Sequence, residues 1–201
     1  MDTIIAASRN QHKIEEMGKI TAKFGMKIVS RDDAGVPPVE IEETGETFRE
    51  NSYIKAKAIM DMTGKPTIAD DSGLMVECLE GAPGVYSARF AGEEADDKKN
   101  LEKLLDLMEG VPYEKRKGAF VSCITLLFPN GEKIVAEGIC EGYIIDEVRG
   151  ENGFGYDPVF IPLGYDKTFG QLDEEIKNRI SHRAKALEKL HDQLEEKHIH
   201  I

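Results

Sequence analysis

Two hydrophobic periods alternate along the first half of this chain, and that alternation constrains the fold more than any other feature. Thr3 to Ala7 is a short apolar run, followed by polar SRNQHK. Ile14, Met17, Thr21 and Phe24 then recur at helical spacing until Gly25, and Met26 to Val29 reads as strand again. Thr47-Phe48-Arg49-Glu50 matches a capping box, so a helix is expected over about 48–63, ending at Gly64-Lys65-Pro66. The apolar start of TIADDSGL predicts a strand that ends on Asp70-Asp71. Gly81, Pro83, Gly84 and Gly92 mark residues 79–92 as mostly loop, and Leu101, Leu104, Leu105 and Met108 predict a helix over about 96–109. From Ala119 the texture changes: AFVSCITLLF, the turn signal Pro129-Asn130-Gly131 and a returning run from Lys133 to Ile145 predict a hairpin. Gly138 and Gly142 are expected at bulges or bends. A Gly-rich loop, GENGFGYDP, leads to a short strand, VFIP. A last helix starts at Ser181 with Ala184, Leu187, Leu190 and Leu194 on one face. Interleaved strands and helices followed by a hairpin predict an α/β fold with a mixed sheet and two lobes around a central cleft.

The 201 residues suit one domain spanning 1–201, which needs no disulfide or metal to sustain its core. The net charge of −12 opposes non-specific nucleic-acid binding, so an anionic ligand would need a local cluster of cations. Cys78, Cys123 and Cys140 form no CxxC pair and read as reduced thiols. MDTIIAAS is too short and acidic for a signal peptide, and no apolar run has membrane-spanning length, so a cytoplasmic protein is expected.

Cations stand where helix dipoles disfavour them. With Asn10 as N-cap, Lys13 occupies N3, and His12 adds to the conflict if charged. Either these side chains are solvated at a cost of a few tenths of a kcal/mol, or an anion lies between the helix N–H groups and Lys13. Ser181, His182 and Arg183 repeat the pattern; Arg183 could fork onto an oxygen-rich ligand, while His182 could equally be an exposed first-turn residue. Phe48, Asn51, Lys55, Ile59 and Met62 share a helix face that Asn51 and Lys55 interrupt with polar groups. Lys55 either snorkels from that face or meets an anion. Asp70-Asp71-Ser72-Gly73 reads as a plain turn or, at a strand end, as a site for a hard divalent cation, with Glu42-Glu43 as further ligands. Gly153-Phe154-Gly155-Tyr156-Asp157 lacks the last glycine of a dinucleotide fingerprint; it is a tight turn with packed aromatics, or a loop whose Phe154 stacks on a base. No GxxxxGK[ST] or HExxH occurs, and His198-Ile199-His200 reads as a frayed tail or a weak metal binder.

Lysines and helix starts for phosphates, acids for Mg²⁺ and an aromatic loop for a base together suggest a nucleoside triphosphate ligand. SRNQHKIEE, EETGETFRENSYIKA, IADDSGL, GAPGVYSARFAG, KNLEKLL, GFGYDPVF and ISHRAKAL, in this order over nearly the whole chain, resemble the signature blocks of the inosine triphosphate pyrophosphatase family. The resemblance implies an elongated mixed-sheet α/β homodimer that hydrolyses XTP, dITP and ITP to the monophosphate and pyrophosphate with Mg²⁺. It implies that Ser8, Asn10 and Lys13 hold phosphates, with Arg9, Gln11 and His12 in the same block; Ser8-Arg9-Asn10 departs from the commoner Thr-Gly-Asn. Glu43 becomes a metal ligand, Lys55 a phosphate-facing lysine, and Asp71 the base and metal ligand, with Asp70 beside it and Ser72 on the substrate. Phe154, Gly155, Tyr156 and Asp157 become the base-binding loop, and Lys177, His182 and Arg183 the block that reads a 6-keto group. Two rival readings are a nucleotide sensor without turnover and a Mg²⁺-dependent phosphatase releasing orthophosphate.

Overall fold

The alternating periods become alternating elements. In the computed structural model, which describes residues 3–199, six strands form one sheet in the order β2-β1-β3-β4-β5-β6. They are β1 (Thr3–Ala6), β2 (Lys27–Ser30), β3 (Thr67–Val76), β4 (Lys117–Leu127), β5 (Lys133–Ile144) and β6 (Phe160–Pro162). The helices are α1 (Gln11–Thr21), α2 (Phe48–Thr63), α3 (Asp97–Leu107), α4 (Glu174–Ile180) and α5 (His182–Glu196). β1 pairs parallel with β2 (Ile4 with Ile28) and with β3 (Ile5 with Thr67), as helical crossovers require, whereas β6 lies antiparallel on β5. The sheet is therefore mixed and the fold α/β.

Local chemistry sets the helix ends. The Asn10 side chain accepts from the Lys13 N–H and caps α1, and a 3-10 turn, Ala22–Phe24, ends at Gly25 in the left-handed region (φ 73°). Both halves of the Thr47–Glu50 capping box form at the start of α2.

The structure departs from the sequence reading at four points. Residues 79–92 are not all loop, because Gly84–Arg89 winds into a 3-10 helix. α4 is not foreseen: its seven residues are too few for an apolar period, although Glu174 and Glu175 in its first turn and Lys177 and Arg179 in its last suit the dipole. β5 runs unbroken through Gly138 and Gly142; a Cβ on Gly142 would stand 2.2 Å from the Ile161 carbonyl oxygen, so that glycine permits close approach to β6. Met62 is 47% exposed and leaves the α2 stripe. His200 lies outside the described residues, while Ile199 packs on the core.

The chain divides into two compact units, each built from separate segments: Met1–Asp71, Ser122–Gly138 and Arg183–Ile201 in one, Ser72–Val121 and Ile139–His182 in the other. The first unit has two apolar clusters of opposite strand parity. Ile4, Ala6 and Ile68 join Met17 of α1 and Ala184 and Leu187 of α5; Ile5, Ala7 and Ala69 join Ala56 and Ile59 of α2. The second unit gathers Leu74, Val76, Leu104, Phe120, Phe160 and Phe169.

Candidate active site

The same parity separates the two adjacent acids. Asp70 and Asp71 do not end a strand or form a turn: β3 continues past them to Val76. Successive strand side chains point to opposite faces. Asp70 therefore shares the face of Ile68, α1 and α5, and Asp71 the face of Ala69 and α2.

On the first face, the Asp70 side chain is fully buried among donors. Its Oδ2 accepts from Arg183 Nη2 (3.0 Å) and lies 3.2 Å from Lys13 Nζ, and its Oδ1 accepts from the Ser122 hydroxyl. Arg183 Nη1 donates in turn to the buried Glu16 carboxylate. Burial alone would raise the Asp70 pKa, but Arg183, Lys13 and the Ser122 hydrogen bond outweigh it and hold the group well below the usual carboxylate range. Burial and the nearby Lys55 and Arg183 lower the Lys13 pKa despite the opposing pull of Asp70. Both oxygens of Asp70, expected beside a metal, are engaged by donors. Arg183, expected at a base, is committed through its terminal nitrogens to two carboxylates.

On the second face, Lys55 Nζ lies 2.9 Å from Asp71 Oδ1 and 2.8 Å from Glu43 Oε1, and donates to the Asp70 carbonyl at 3.0 Å. Asp71 Oδ2 is buried without a hydrogen-bond partner. Burial, with Glu43 nearby, pushes the Asp71 carboxyl up to about 6 against the pull of Lys55. For Glu43 the balance reverses: burial raises its pKa, but Lys55 outweighs it and the net shift is downward. Burial likewise lowers Lys55, and Asp71 and Glu43 outweigh that and raise it. Lys55 does not snorkel into solvent; it ties two carboxylates to one strand. Asn51, the other polar group on that helix face, holds a loop. Its amide accepts from the Gly45 N–H (2.8 Å) and donates to the Gly45 carbonyl (3.3 Å), fixing the loop that carries Glu43. A Cβ at Gly45 would stand 2.6 Å from the Asn51 Oδ1, so the loop requires glycine there. Glu42 is exposed.

No group of three or more His, Cys, Asp or Glu able to hold a metal occurs among the described residues. The unpartnered Asp71 oxygen and the adjacent Glu43 nevertheless fit a hard cation that takes most of its other ligands from a bound anion. A carboxyl near pKa 6 is mostly ionised at neutral pH and basic enough to accept a proton from water.

At the start of α1 the Ser8 Oγ accepts from the Asn10 N–H at 3.0 Å, and no acid lies in the first turn. Arg9, Asn10, Gln11 and His12 are exposed, and Gln11 donates to Glu15. Glu16 and Ser122 are not among the residues that the sequence singles out. Their signal is a polar group placed in the apolar stripe of α1 and on the Ile124–Leu126 face of β4.

In the second unit, the glycine loop closes on an acid. Asp157 is buried, and its Oδ2 accepts from the Phe154 N–H (3.0 Å) and from Lys177 Nζ (2.7 Å). Lys177 stands 4.6 Å from the centroid of the Phe154 ring. A Cβ on Gly153 would fall 2.0 Å from Asp157 Oδ2, and its φ of +71° also favours glycine. The Gly155 N–H donates to Asp97 Oδ2 (3.1 Å), and the buried Tyr156 hydroxyl donates to the Ser87 carbonyl (2.6 Å). Ser72 is half-buried. His182 is not exposed: it is 5% accessible and stacks on Phe120 at 4.9 Å.

A mixed-sheet α/β protein with paired cations and carboxylates on both faces of one strand has the chemistry of a polyanion-handling enzyme. The chain belongs to the Ham1 family, whose model matches residues 4–193. It is 50% identical over 190 residues to the dITP/XTP pyrophosphatase of Bacillus licheniformis, covering 94% of this chain and 96% of that one. The Staphylococcus aureus Ham1 protein structure superposes with a TM-score of 0.84 at 42% identity, covering 97% of this chain and 99% of that chain. A HAM1 protein from Coxiella burnetii superposes with a TM-score of 0.85 at 41% identity, covering 98% and 100%.

Proposed function

We propose that this protein hydrolyses non-standard purine nucleoside triphosphates (dITP, XTP and ITP) to the monophosphate and pyrophosphate, as one functional domain over residues 1–201. The observation that carries the reading is the buried, unpartnered Asp71 Oδ2 beside Lys55 and Glu43; the names of the relatives supply the substrate class.

In the proposed mechanism Asp71 orients a water and accepts its proton. The water oxygen bonds to phosphorus as the bond to the leaving phosphate oxygen breaks. Lys13 and Lys55 stabilise charge on the transferred and leaving groups, and Ser8, Asn10 and the start of α1 receive phosphate oxygens. Asp71 and Glu43 would hold Mg²⁺, which neutralises phosphate charge when bound. Asp70 keeps Lys13 and Arg183 in place. The Phe154 to Asp157 loop faces the base, with Phe154 as the stacking platform. A donor such as Lys177 or His182 facing position 6 donates to a keto oxygen, whereas the amino group of adenine would leave donor against donor, at a cost of about 1–3 kcal/mol. A homodimer is proposed on the family resemblance alone, and a cytoplasmic location on the sequence reading of the N-terminus and apolar runs.

The test is a nucleotide panel scored for pyrophosphate, with Mg²⁺ and with EDTA. Turnover of dITP, XTP and ITP well above dATP, with pyrophosphate as product, is expected. Orthophosphate as the product would instead favour a phosphatase, and binding without turnover a sensor.

A further inference from the structure

Ser87 lies in the 3-10 helix Gly84–Arg89, is 6% exposed, and stands outside the groups used above for phosphate, metal or base. Both its polar ends are engaged by different parts of the same unit. Its hydroxyl donates to the Gly84 carbonyl at 2.6 Å and accepts from the Leu74 N–H of β3 at 2.9 Å. Its carbonyl accepts from the Tyr156 hydroxyl at 2.6 Å, in a buried bond that spans 69 residues of sequence. Tyr156 is the member of the 154–157 loop that joins the apolar core cluster, at 6% exposure. The loop is also tied at Phe154 by Asp157, at Asp157 by Lys177 and the Gly170 N–H, and at Gly155 by the exposed Asp97.

We infer that Ser87 is a positioning residue for base recognition: through its carbonyl and Tyr156 it holds the 154–157 loop in register with β3. The inference rests on the reading of that loop as the base-binding element. The hydroxyl fixes the Ser87 backbone by two bonds to main chain, and the fixed carbonyl fixes Tyr156. Ser87 and Tyr156 thus act in series. Loss of either releases the same anchor and leaves a buried polar group unpaired, the Leu74 N–H in one case and the Ser87 carbonyl in the other.

The test uses Ser87→Ala, Tyr156→Phe and the double variant. KM and kcat are measured with dITP, and inhibition constants with inorganic tripolyphosphate, which has no base. Each single variant should raise KM for dITP about tenfold and change kcat less. Tripolyphosphate affinity should stay within about twofold of the wild type. The double variant should be no worse than the worse single, since both remove one anchor. Multiplicative effects in the double variant, or equal losses of dITP and tripolyphosphate affinity, would overturn the inference and leave Ser87 a structural residue. Wild-type enzyme that fails to turn over dITP while still binding tripolyphosphate would instead overturn the proposed activity.

Discussion

Asp70→Asn and Asp71→Asn should move stability in opposite directions although the residues are neighbours. Asp70 balances Lys13 and Arg183 in a site with no solvent access to its carboxylate. An amide there removes the charge and keeps the shape, and breaking a buried ion pair costs ~3–5 kcal/mol. At about 2–4 °C per kcal/mol for a chain of this size, Tm should fall by roughly 6–20 °C. Asp71 has the reverse sign. Its carboxyl is raised from 3.8 to about 6 on folding, so its charged form opposes folding above that pH. The linkage cost is about 3 kcal/mol at pH 7 and under about 1 kcal/mol near pH 4. Asp71→Asn, in EDTA, should therefore match or exceed wild-type stability at pH 7, with the advantage shrinking as the pH falls from 6 toward 4. Asp70, whose pKa is held low, contributes stability throughout that range and loses it only at lower pH. Chemical denaturation of the three proteins at pH 7, 5 and 4 measures both effects. An Asp71→Asn protein destabilised as much as Asp70→Asn, or an Asp70→Asn protein within 1 kcal/mol of wild type, would refute the two-faced assignment.

Asp71→Asn should also lose at least about 100-fold in kcat, the scale of a general base, with nucleotide binding by titration retained. Lys55→Met should move the acid limb of kcat/KM to higher pH than in the wild type, by removing the cation that stabilises the charged form of Asp71. Gly153→Ala should raise KM for dITP more than the inhibition constant for tripolyphosphate, because its Cβ meets Asp157 and displaces the loop. EDTA should abolish turnover and added Mg²⁺ should restore it.

Periodicity, caps and turn residues made most elements legible, because those signals act within a few residues: Asn10, Thr47, Gly25 and Gly64 end helices where the sequence places them. α4 escaped because seven charged-rich residues form a helix only when Lys177 and its neighbours find partners elsewhere, here Asp157, twenty positions away. The candidate site divides in the same way. Residue types at fixed spacing pointed to Lys13, Lys55, the Asp70-Asp71 pair and the 154–157 loop, since each carries its chemistry in its own segment, and the family resemblance singled out Asp71. Glu16 and Ser122 show locally only as polar groups on apolar faces and Ser87 not at all, because their bonds span 167, 52 and 69 residues.

By itself the sequence determined that two carboxylates stand adjacent within TIADDSGL and that cations open α1 and the ISHRAK block. Tertiary structure decided which partners each acid meets. A turn would have aimed both carboxylates at one ligand, but a strand turns neighbours to opposite faces, and helices from distant segments cover each face. Asp70 thereby received Arg183 and Lys13 and became a fixed countercharge, while Asp71 received a single shared lysine and kept one oxygen open.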